Sequence, residues 1–156
     1  MITVLVNGRE QAFEPAADAS LAYMLREEAG LIGVRVSCGE GECGACTVLV
    51  DEQPVTSCLM LAHQAAGRKV TTIEGFGSPE NLHPIQQAFI EEQGFQCGFC
   101  TPGFIIAAAA FLEENPSPSE EETSIAMSGN ICRCGAYPYI VRAVLTAAER
   151  LRGASA

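Results

Sequence analysis

Positive charge is scarce in this sequence: nine lysines and arginines stand against nineteen aspartates and glutamates, a net charge of −10 over 156 residues. That balance excludes nucleic acid as a partner, because phosphates want a basic face. It excludes an anionic membrane surface as well. Long apolar runs are also missing. The most apolar stretch, PGFIIAAAAFL from Pro102 to Leu112, is too short to span a bilayer and reads as a buried helix. The amino-terminal MITVLVNGRE lacks a basic start and its apolar run stops at Asn7, so no secretory signal is expected. Histidine is nearly absent, with only His63 and His83. His63, in an apolar segment, is expected to be packed or capping, and His83, beside Pro84, to be solvated. No Ser–His–Asp constellation and no G-x-x-x-x-G-K-[ST] phosphate loop occurs. The chain therefore carries no catalytic apparatus of its own.

Cysteine is plentiful, with eight residues in a chain that is 48% hydrophobic and 18% charged. Such a composition can bury a core and is not that of a disordered chain. The length suits one average domain or two small ones. With no export signal the expected location is cytoplasmic, where thiols stay reduced and disulfides are not expected.

Two textures divide the chain into an α+β protein. ITVLVNGREQAFEP alternates apolar residues around Asn7-Gly8, a hairpin signal. SLAYMLREEAG reads as a helix with Ser20 as N-cap and Gly30 past its end. After a cysteine-rich loop come a strand at 46–50, a turn at Asp51–Pro54, a short apolar helix near Leu59–His63 and the strand KVTTIEG. This makes a small α+β unit over 1–75. FGSPENLHP, at 76–84, breaks the pattern with glycine, proline and asparagine and is read as a linker. The remainder, 85–156, is helical. Pro84 opens one helix that closes at Gly94, and Thr101-Pro102 open an alanine-rich one ending before Asn115-Pro116. Ser119 and Glu122 form a capping box for a third, and a fourth begins at Pro138 with an apolar stripe at Ile140, Val141, Val144, Leu145 and Ala148. Four helices of this length suggest a compact bundle.

The cysteines divide four and four. Cys38, Cys43, Cys46 and Cys58 follow C-x4-C-x2-C-x11-C, and Cys97, Cys100, Cys132 and Cys134 follow C-x2-C-x31-C-x-C. The first spacing is that of plant-type ferredoxins, in which a flexible loop wraps a [2Fe–2S] cluster and a distant cysteine closes it. Gly39, Gly41 and Gly44 let backbone N–H groups approach the sulfurs and donate to them. Zinc hooks suit that spacing poorly. The second quartet leaves the choice open. Both of its pairs precede helices, where unpaired N–H groups and the helix dipole favour thiolates. Iron–sulfur and zinc would both accept that arrangement.

CGEGECGACTV, QCGFCTPG and GNICRCGAYPYI, in this order, resemble the small iron–sulfur subunit of the molybdenum hydroxylases, the xanthine dehydrogenase and aldehyde oxidase family. The resemblance runs from about Ile2 to Arg150. It implies a β-grasp ferredoxin-like domain followed by a four-helix bundle, each holding one [2Fe–2S] cluster on its four cysteines. It also implies partners, a large molybdopterin-binding subunit with a medium FAD-binding one, in a complex that can be a dimer of heterotrimers. Electrons would pass from molybdenum to the helical-domain cluster, then to the ferredoxin-type cluster, then to flavin. In that family the glutamine before C-x2-C and the last cysteine of C-x-C approach the pterin, here Gln96 and Cys134. Many relatives carry Thr-Gly after C-x-C, whereas this chain has Gly135-Ala136, as some aldehyde and isoquinoline enzymes do. Two other classes remain: a free two-cluster ferredoxin-like carrier and a zinc-stabilised interaction module. Glu40, Glu42 and Arg133 lie among the cysteines. The glutamates read as solvated loop carboxylates or a docking face, the arginine as a partner contact or a counter-charge. Cys97, Cys100, Cys132 and Cys134 at buried helix ends, against a near-surface loop at Cys38–Cys46, imply two distinct environments.

Overall fold

The computed structural model describes residues 1–154; Ser155 and Ala156, the end of the expected helical region, lie outside the described residues. Strands β1 (Ile2–Val6) and β2 (Arg9–Phe13) form the expected antiparallel hairpin, with Ile2 opposite Phe13. Asn7 and Gly8 at its tip both take positive φ, 49° and 76°, as the favoured two-residue turn demands. Ser20 caps the next helix, its side chain accepting from the N–H of Tyr23 at 3.2 Å. That helix differs from expectation. Only Leu21–Tyr23 (α1) is α-helical, and Met24–Glu28 continues as a wider π turn in which the N–H of Ala29 reaches the carbonyl of Met24 at 3.0 Å.

Strands β3 (Thr47–Val50), β4 (Gln53–Thr56) and β5 (Lys69–Thr71) complete a sheet in the order β2-β1-β5-β3-β4. β1 and β5 run parallel and the other pairs antiparallel. The turn expected over Asp51–Pro54 is shorter, confined to Asp51 and Glu52 at φ 48° and 70°. Pro54 instead lies within β4, opposite Leu49. It is tolerated because β4 is an edge strand, where a missing N–H breaks no ladder. The short helix near Leu59–His63 is a 3-10 turn over Ala62–Ala65, and His63 within it is exposed, not packed. Val4, Val6, Val48, Val50 and Val70 from the sheet, with Leu21, Met24 and Leu25 from the helix, are fully buried in one core. Each such side chain contributes about 1.5–3 kcal/mol.

Four helices follow: α2 (Pro84–Glu91), α3 (Thr101–Glu114), α4 (Glu120–Met127) and α5 (Tyr137–Ala154). Proline opens α2, and α3 stops at Asn115, the residue before Pro116, where an α conformation is disfavoured. The box of Ser119 and Glu122 caps α4 from both sides. These helices bury a second core that includes Phe89, Phe104, Ile140 and Val144. Glu91 of α2 pairs with Arg150 of α5, and Glu92 accepts from the hydroxyl of Thr146 at 3.0 Å. His83 is not solvated as expected. It is half-buried and caps α2, its Nδ1 accepting from the N–H of Ile85 at 3.3 Å. Phe76 meets its ring edge-on at 5.2 Å and packs on the helical core, so both ends of the segment 76–84 are held down while Ser78 to Leu82 stay exposed.

The two cores meet directly, α3 lying against β3 and β4. Within the first unit Asn7 fastens the residue that follows β5: its Oδ1 accepts from the N–H of Thr72 and its Nδ2 donates to that residue's hydroxyl, both at 2.9 Å. Glu74 extends the tie, accepting from Thr72 Oγ1 at 2.6 Å and from the N–H of Gly33 at 2.7 Å.

Candidate metal centres

The loop from Cys38 to Cys46 has no regular structure, and its conformation is set by glycine. Gly41 sits at φ +80° with no room for a Cβ, which would overlap the side chain of Leu59. Gly44 sits at φ +68° and is crowded by Asn130. Gly39 also has positive φ but faces open space. The loop so formed turns N–H groups toward sulfur. The N–H of Glu40 donates to Cys38 Sγ at 3.4 Å, and that of Cys58 to Cys46 Sγ at 3.4 Å. Donation from Glu40, and further from Cys43 and Glu42, holds the Cys38 thiol down at about 7. Burial pushes Cys58 up to about 11. Ser57, itself fully buried, donates its hydroxyl to the Cys46 carbonyl at 2.6 Å. Arg26, from the π turn, donates to the carbonyls of Ile32 and Val34 at 3.1 and 2.6 Å and so fixes the approach to Cys38. Glu40 and Glu42 are exposed.

The second set stands at two helix starts, as the sequence implies. Cys100 is the residue before α3, and Cys132 and Cys134 lead into α5. The phenolic oxygen of Tyr137 accepts from the N–H of Cys132 at 2.8 Å, and the N–H of Ala136 donates to Cys132 Sγ at 3.5 Å. The expectation that all four thiols are buried is corrected here. Cys132 is buried, Cys100 and Cys134 are half-buried, and Cys97 is exposed, because it precedes the helix by a full turn of loop. In the first set Cys46 is buried, so it is not a purely surface loop either. Donation from the Phe99 N–H lowers the Cys97 thiol, whereas burial pushes Cys100 up to about 12. The side-chain amide of Gln96 donates to the Cys134 carbonyl at 3.1 Å, bringing together the two residues that the resemblance placed near a pterin. Arg133 is exposed.

The sulfurs are grouped in twos. Cys38 neighbours Cys43 and Cys46 neighbours Cys58; Cys97 neighbours Cys134 and Cys100 neighbours Cys132. Cys38 also acts on Cys58, and Cys97 on Cys100, so each quartet lies together, an arrangement that fits a [2Fe–2S] cluster. The raised thiols fit as well, since a buried sulfur becomes anionic only with a cation beside it. Among the described residues all eight cysteines are free, and no helix is long and apolar enough to cross a membrane.

Arg26, Asn130 and Tyr137 shape these sites without being expected to. Asn130 stands inside the GNICRC motif, yet only the folded contacts give it a role, since its partner is Gly44 at 86 residues' separation.

Comparison with known proteins finds two iron–sulfur domains in the chain. Residues 4–71 match the 2Fe-2S iron–sulfur cluster binding domain, and residues 72–145 match a second [2Fe-2S] binding domain. The chain is 45% identical to the nicotinate dehydrogenase small FeS subunit of Eubacterium barkeri, over 96% of this chain and 95% of that one. It is 43% identical to the iron–sulfur-binding subunit of Escherichia coli aldehyde oxidoreductase, over 97% of this chain and 72% of that one. Quinoline 2-oxidoreductase from Pseudomonas putida 86 contains a chain that superposes with a TM-score of 0.94 at 41% identity, covering 99% of this chain and 97% of that one. Aldehyde oxidoreductase from Desulfovibrio gigas superposes at 0.93 with 44% identity, but there the match covers 99% of this chain and only 18% of the other. Two [2Fe–2S] domains in this order, on a chain aligning end to end with such subunits, place it: the chain belongs to the iron–sulfur small subunits of the molybdenum hydroxylase family.

Proposed function

We propose that this subunit conducts electrons out of a molybdopterin centre held by a larger partner subunit, through the helical site and then the ferredoxin-type site, to FAD on a medium subunit. When bound, each [2Fe–2S] cluster takes up and releases one electron at a time. Cys38, Cys43, Cys46 and Cys58 hold the first, and Cys97, Cys100, Cys132 and Cys134 the second. The carrying observation is the grouping of eight thiols into two sets of paired sulfurs in two separately cored units. Backbone N–H groups of Glu40, Cys58 and Ala136 spread the thiolate charge. Gln96, hydrogen-bonded to Cys134, is exposed at the edge of the helical site, and is the residue that would face the partner's pterin. Gly39, Gly41 and Gly44 shape the other loop.

The domains divide as 1–75, a connecting segment 76–84 and 85–156. Exposed Phe95, Phe99 and Tyr139, at 38%, 43% and 42%, flank the helical cysteines and suit burial in an obligate interface, which typically exceeds about 2,000 Å². The complex assembles in the cytoplasm, as a heterotrimer or a dimer of heterotrimers. A free carrier would leave its partner on dilution, whereas this subunit should copurify with it.

Two variants test the reading. Cys43→Ser removes a soft ligand from the first site, and Cys100→Ser does so from the second. Cys43→Ser should lose half the iron and labile sulfide, keep substrate-dependent reduction of the helical cluster, and stop turnover with the external acceptor. Cys100→Ser should keep a ferredoxin-type cluster that stays oxidised when substrate is added. Rapid-freeze spectroscopy reads both. Normal reduction of the ferredoxin-type cluster in Cys100→Ser would reverse the proposed order, and zinc in place of iron would end the proposal.

A further inference from the structure

The two cysteine sites meet along one short backbone seam. The N–H of Ile131, the residue before Cys132, donates to the carbonyl of Cys43 at 2.9 Å. The neighbouring residue on each side is engaged as well: Nδ2 of Asn130 donates to the carbonyl of Gly44 at 2.9 Å. Two consecutive carbonyls of one ligand loop are thus bound by two consecutive residues leading into a ligand of the other site. Asn130 is only 5% exposed, whereas Ile131 is 52% exposed. The backbone bond therefore lies at the open rim of the seam and the side-chain clamp at its dry end.

The clamp explains its surroundings. Gly44 has no side chain because a Cβ there would run into the Asn130 amide and the Gly129 carbonyl. Gly103, three residues past Cys100, has none because a Cβ would overlap the Gly44 carbonyl. Loop, helix start and motif are shaved to backbone where they touch. The Gly44 carbonyl also accepts from the N–H and hydroxyl of Thr47, at 3.1 and 2.7 Å, which fixes it within its own loop. Asn130 then has a rigid acceptor to grip.

We infer that Asn130 is a positioning residue for electron exchange between the two sites: its amide clamp on Gly44 holds closed the Ile131–Cys43 hydrogen bond, through which a ligand of one site connects to a ligand of the other. The path runs from Cys43 through its carbonyl to the Ile131 N–H and along one peptide unit to Cys132. With a cluster held by each quartet, a single electron would be exchanged along this contact, with no bond formed or broken and no proton moved. Without the clamp, a single rim-exposed hydrogen bond between two separately cored units competes with water and is worth little. With it, both units share one rigid contact. The inference rests on the cysteine assignment proposed above, and the two fail differently. A wrong ligand assignment shows in metal content; a wrong seam shows in the coupling between clusters that are both present.

The test uses the assembled complex carrying Asn130→Ala or, independently, Gly103→Ala, whose added methyl pushes on the Gly44 carbonyl from the other side. Thr47→Val serves as control: it removes only the hydroxyl bond to the same carbonyl, which does not cross the seam, and keeps the Thr47 N–H bond that holds the acceptor in place. Iron and labile sulfide should match the parent in all three. In Asn130→Ala, amide exchange over residues 129–134 should quicken about tenfold, the loss of roughly one buried hydrogen bond. The magnetic interaction between the two reduced clusters, read from their spin relaxation, should weaken in Asn130→Ala and Gly103→Ala but not in Thr47→Val. Asn130 N–H also donates to the Met127 carbonyl at 3.2 Å. A role confined to ending α4 would therefore speed exchange in α4 and leave the magnetic interaction unchanged. That result overturns the inference, and so does loss of either cluster in both seam variants, which would make Asn130 a requirement for assembly instead.

Discussion

Arg35 lays its guanidinium over the ring of Phe99, with Cζ 5.8 Å from the ring centroid. Arg35 precedes Cys38 by three residues and Phe99 lies between Cys97 and Cys100, so a cation from the first unit rests on the ligand loop of the second. Its Nε is buried without a hydrogen-bond partner. A positive charge here stabilises the reduced, more negative state of the helical site. Arg35→Gln should therefore lower that cluster's midpoint potential and leave the other closer to its parent value. An interaction of about 1 kcal/mol, that of a close pair in water, corresponds to about 40 mV for one electron. A spectroscopically monitored redox titration decides it; an unchanged or raised potential would show that the cation does not reach the cluster.

His83 makes stability pH-dependent at the start of α2. Its Nδ1 accepts from the Ile85 N–H, which only a neutral ring can do, and burial lowers its pKa despite the opposing attraction of Glu113. The folded value thus lies below the unfolded one. The stabilisation is complete above the unfolded value near 6.5 and is lost as pH falls below it through the folded value. His83→Asn keeps a capping acceptor without a titrating ring. It should abolish the dependence between pH 7 and 5, whereas His83→Ala should lose about 1 kcal/mol throughout. Thermal melts across that range check both; a parent protein whose melting is flat from pH 7 to 5 would refute the role.

Much of this is legible in the sequence, and the failures have physical causes. Asn7-Gly8, Pro84, Asn115-Pro116 and the Ser119–Glu122 box each carry a local backbone requirement, and each sits where expected. The cysteine spacing points to the first quartet directly, because the loop is nearly continuous in sequence. Distant partners stay hidden. Asn130 and Gly44 are 86 residues apart, and nothing local to either announces the bond. His63 and His83 mislead alike, since neither an apolar segment nor a loop position says which way a ring points. Met24–Glu28 widens into a π turn, although its apolar spacing fits an α-helix. Pro54 looks like a turn residue because its strand is an edge, a property of the whole sheet.

Arg26 is the fastening of the chain that leads to Cys38. Its Nη1 bonds to the Ile32 and Val34 carbonyls cross the bend at Gly30, which has φ +69°. Arg26→Met keeps the stem and removes both donors. Hydrogen bonds from a charged group are worth about 1.5–3 kcal/mol, and partial exposure reduces that to about 1–2. The melting temperature should fall by about 2–8 °C for a domain of this size, and a chelator should strip iron from the ferredoxin-type site faster than from the helical one. Equal loss from both sites would show that Arg26 steadies the fold without reaching the loop.

Gly41 and Gly39 separate two reasons for glycine within one loop. Both have positive φ, +80° and +69°, so either alanine variant carries left-handed backbone strain of about 1–2 kcal/mol. Only Gly41 is also walled in, by the side chain of Leu59. Leu59 follows Cys58 and is 62% exposed, so it can swing away, but at the expense of the segment that holds the fourth cysteine. Gly41 also donates its N–H toward Cys58, one of the bonds opposing the upward push of burial on that thiol. Gly41→Ala should therefore reduce occupancy of the ferredoxin-type site markedly, while Gly39→Ala keeps it with a modest loss of thermal stability. The double variant Gly41→Ala/Leu59→Ala should recover part of the iron, because it removes the overlap and leaves only the strain. Iron and sulfide counts on the three variants, with the helical site as internal standard, give the answer. If Leu59→Ala recovers nothing, the conformation of Gly41 and not its crowding is what the site requires.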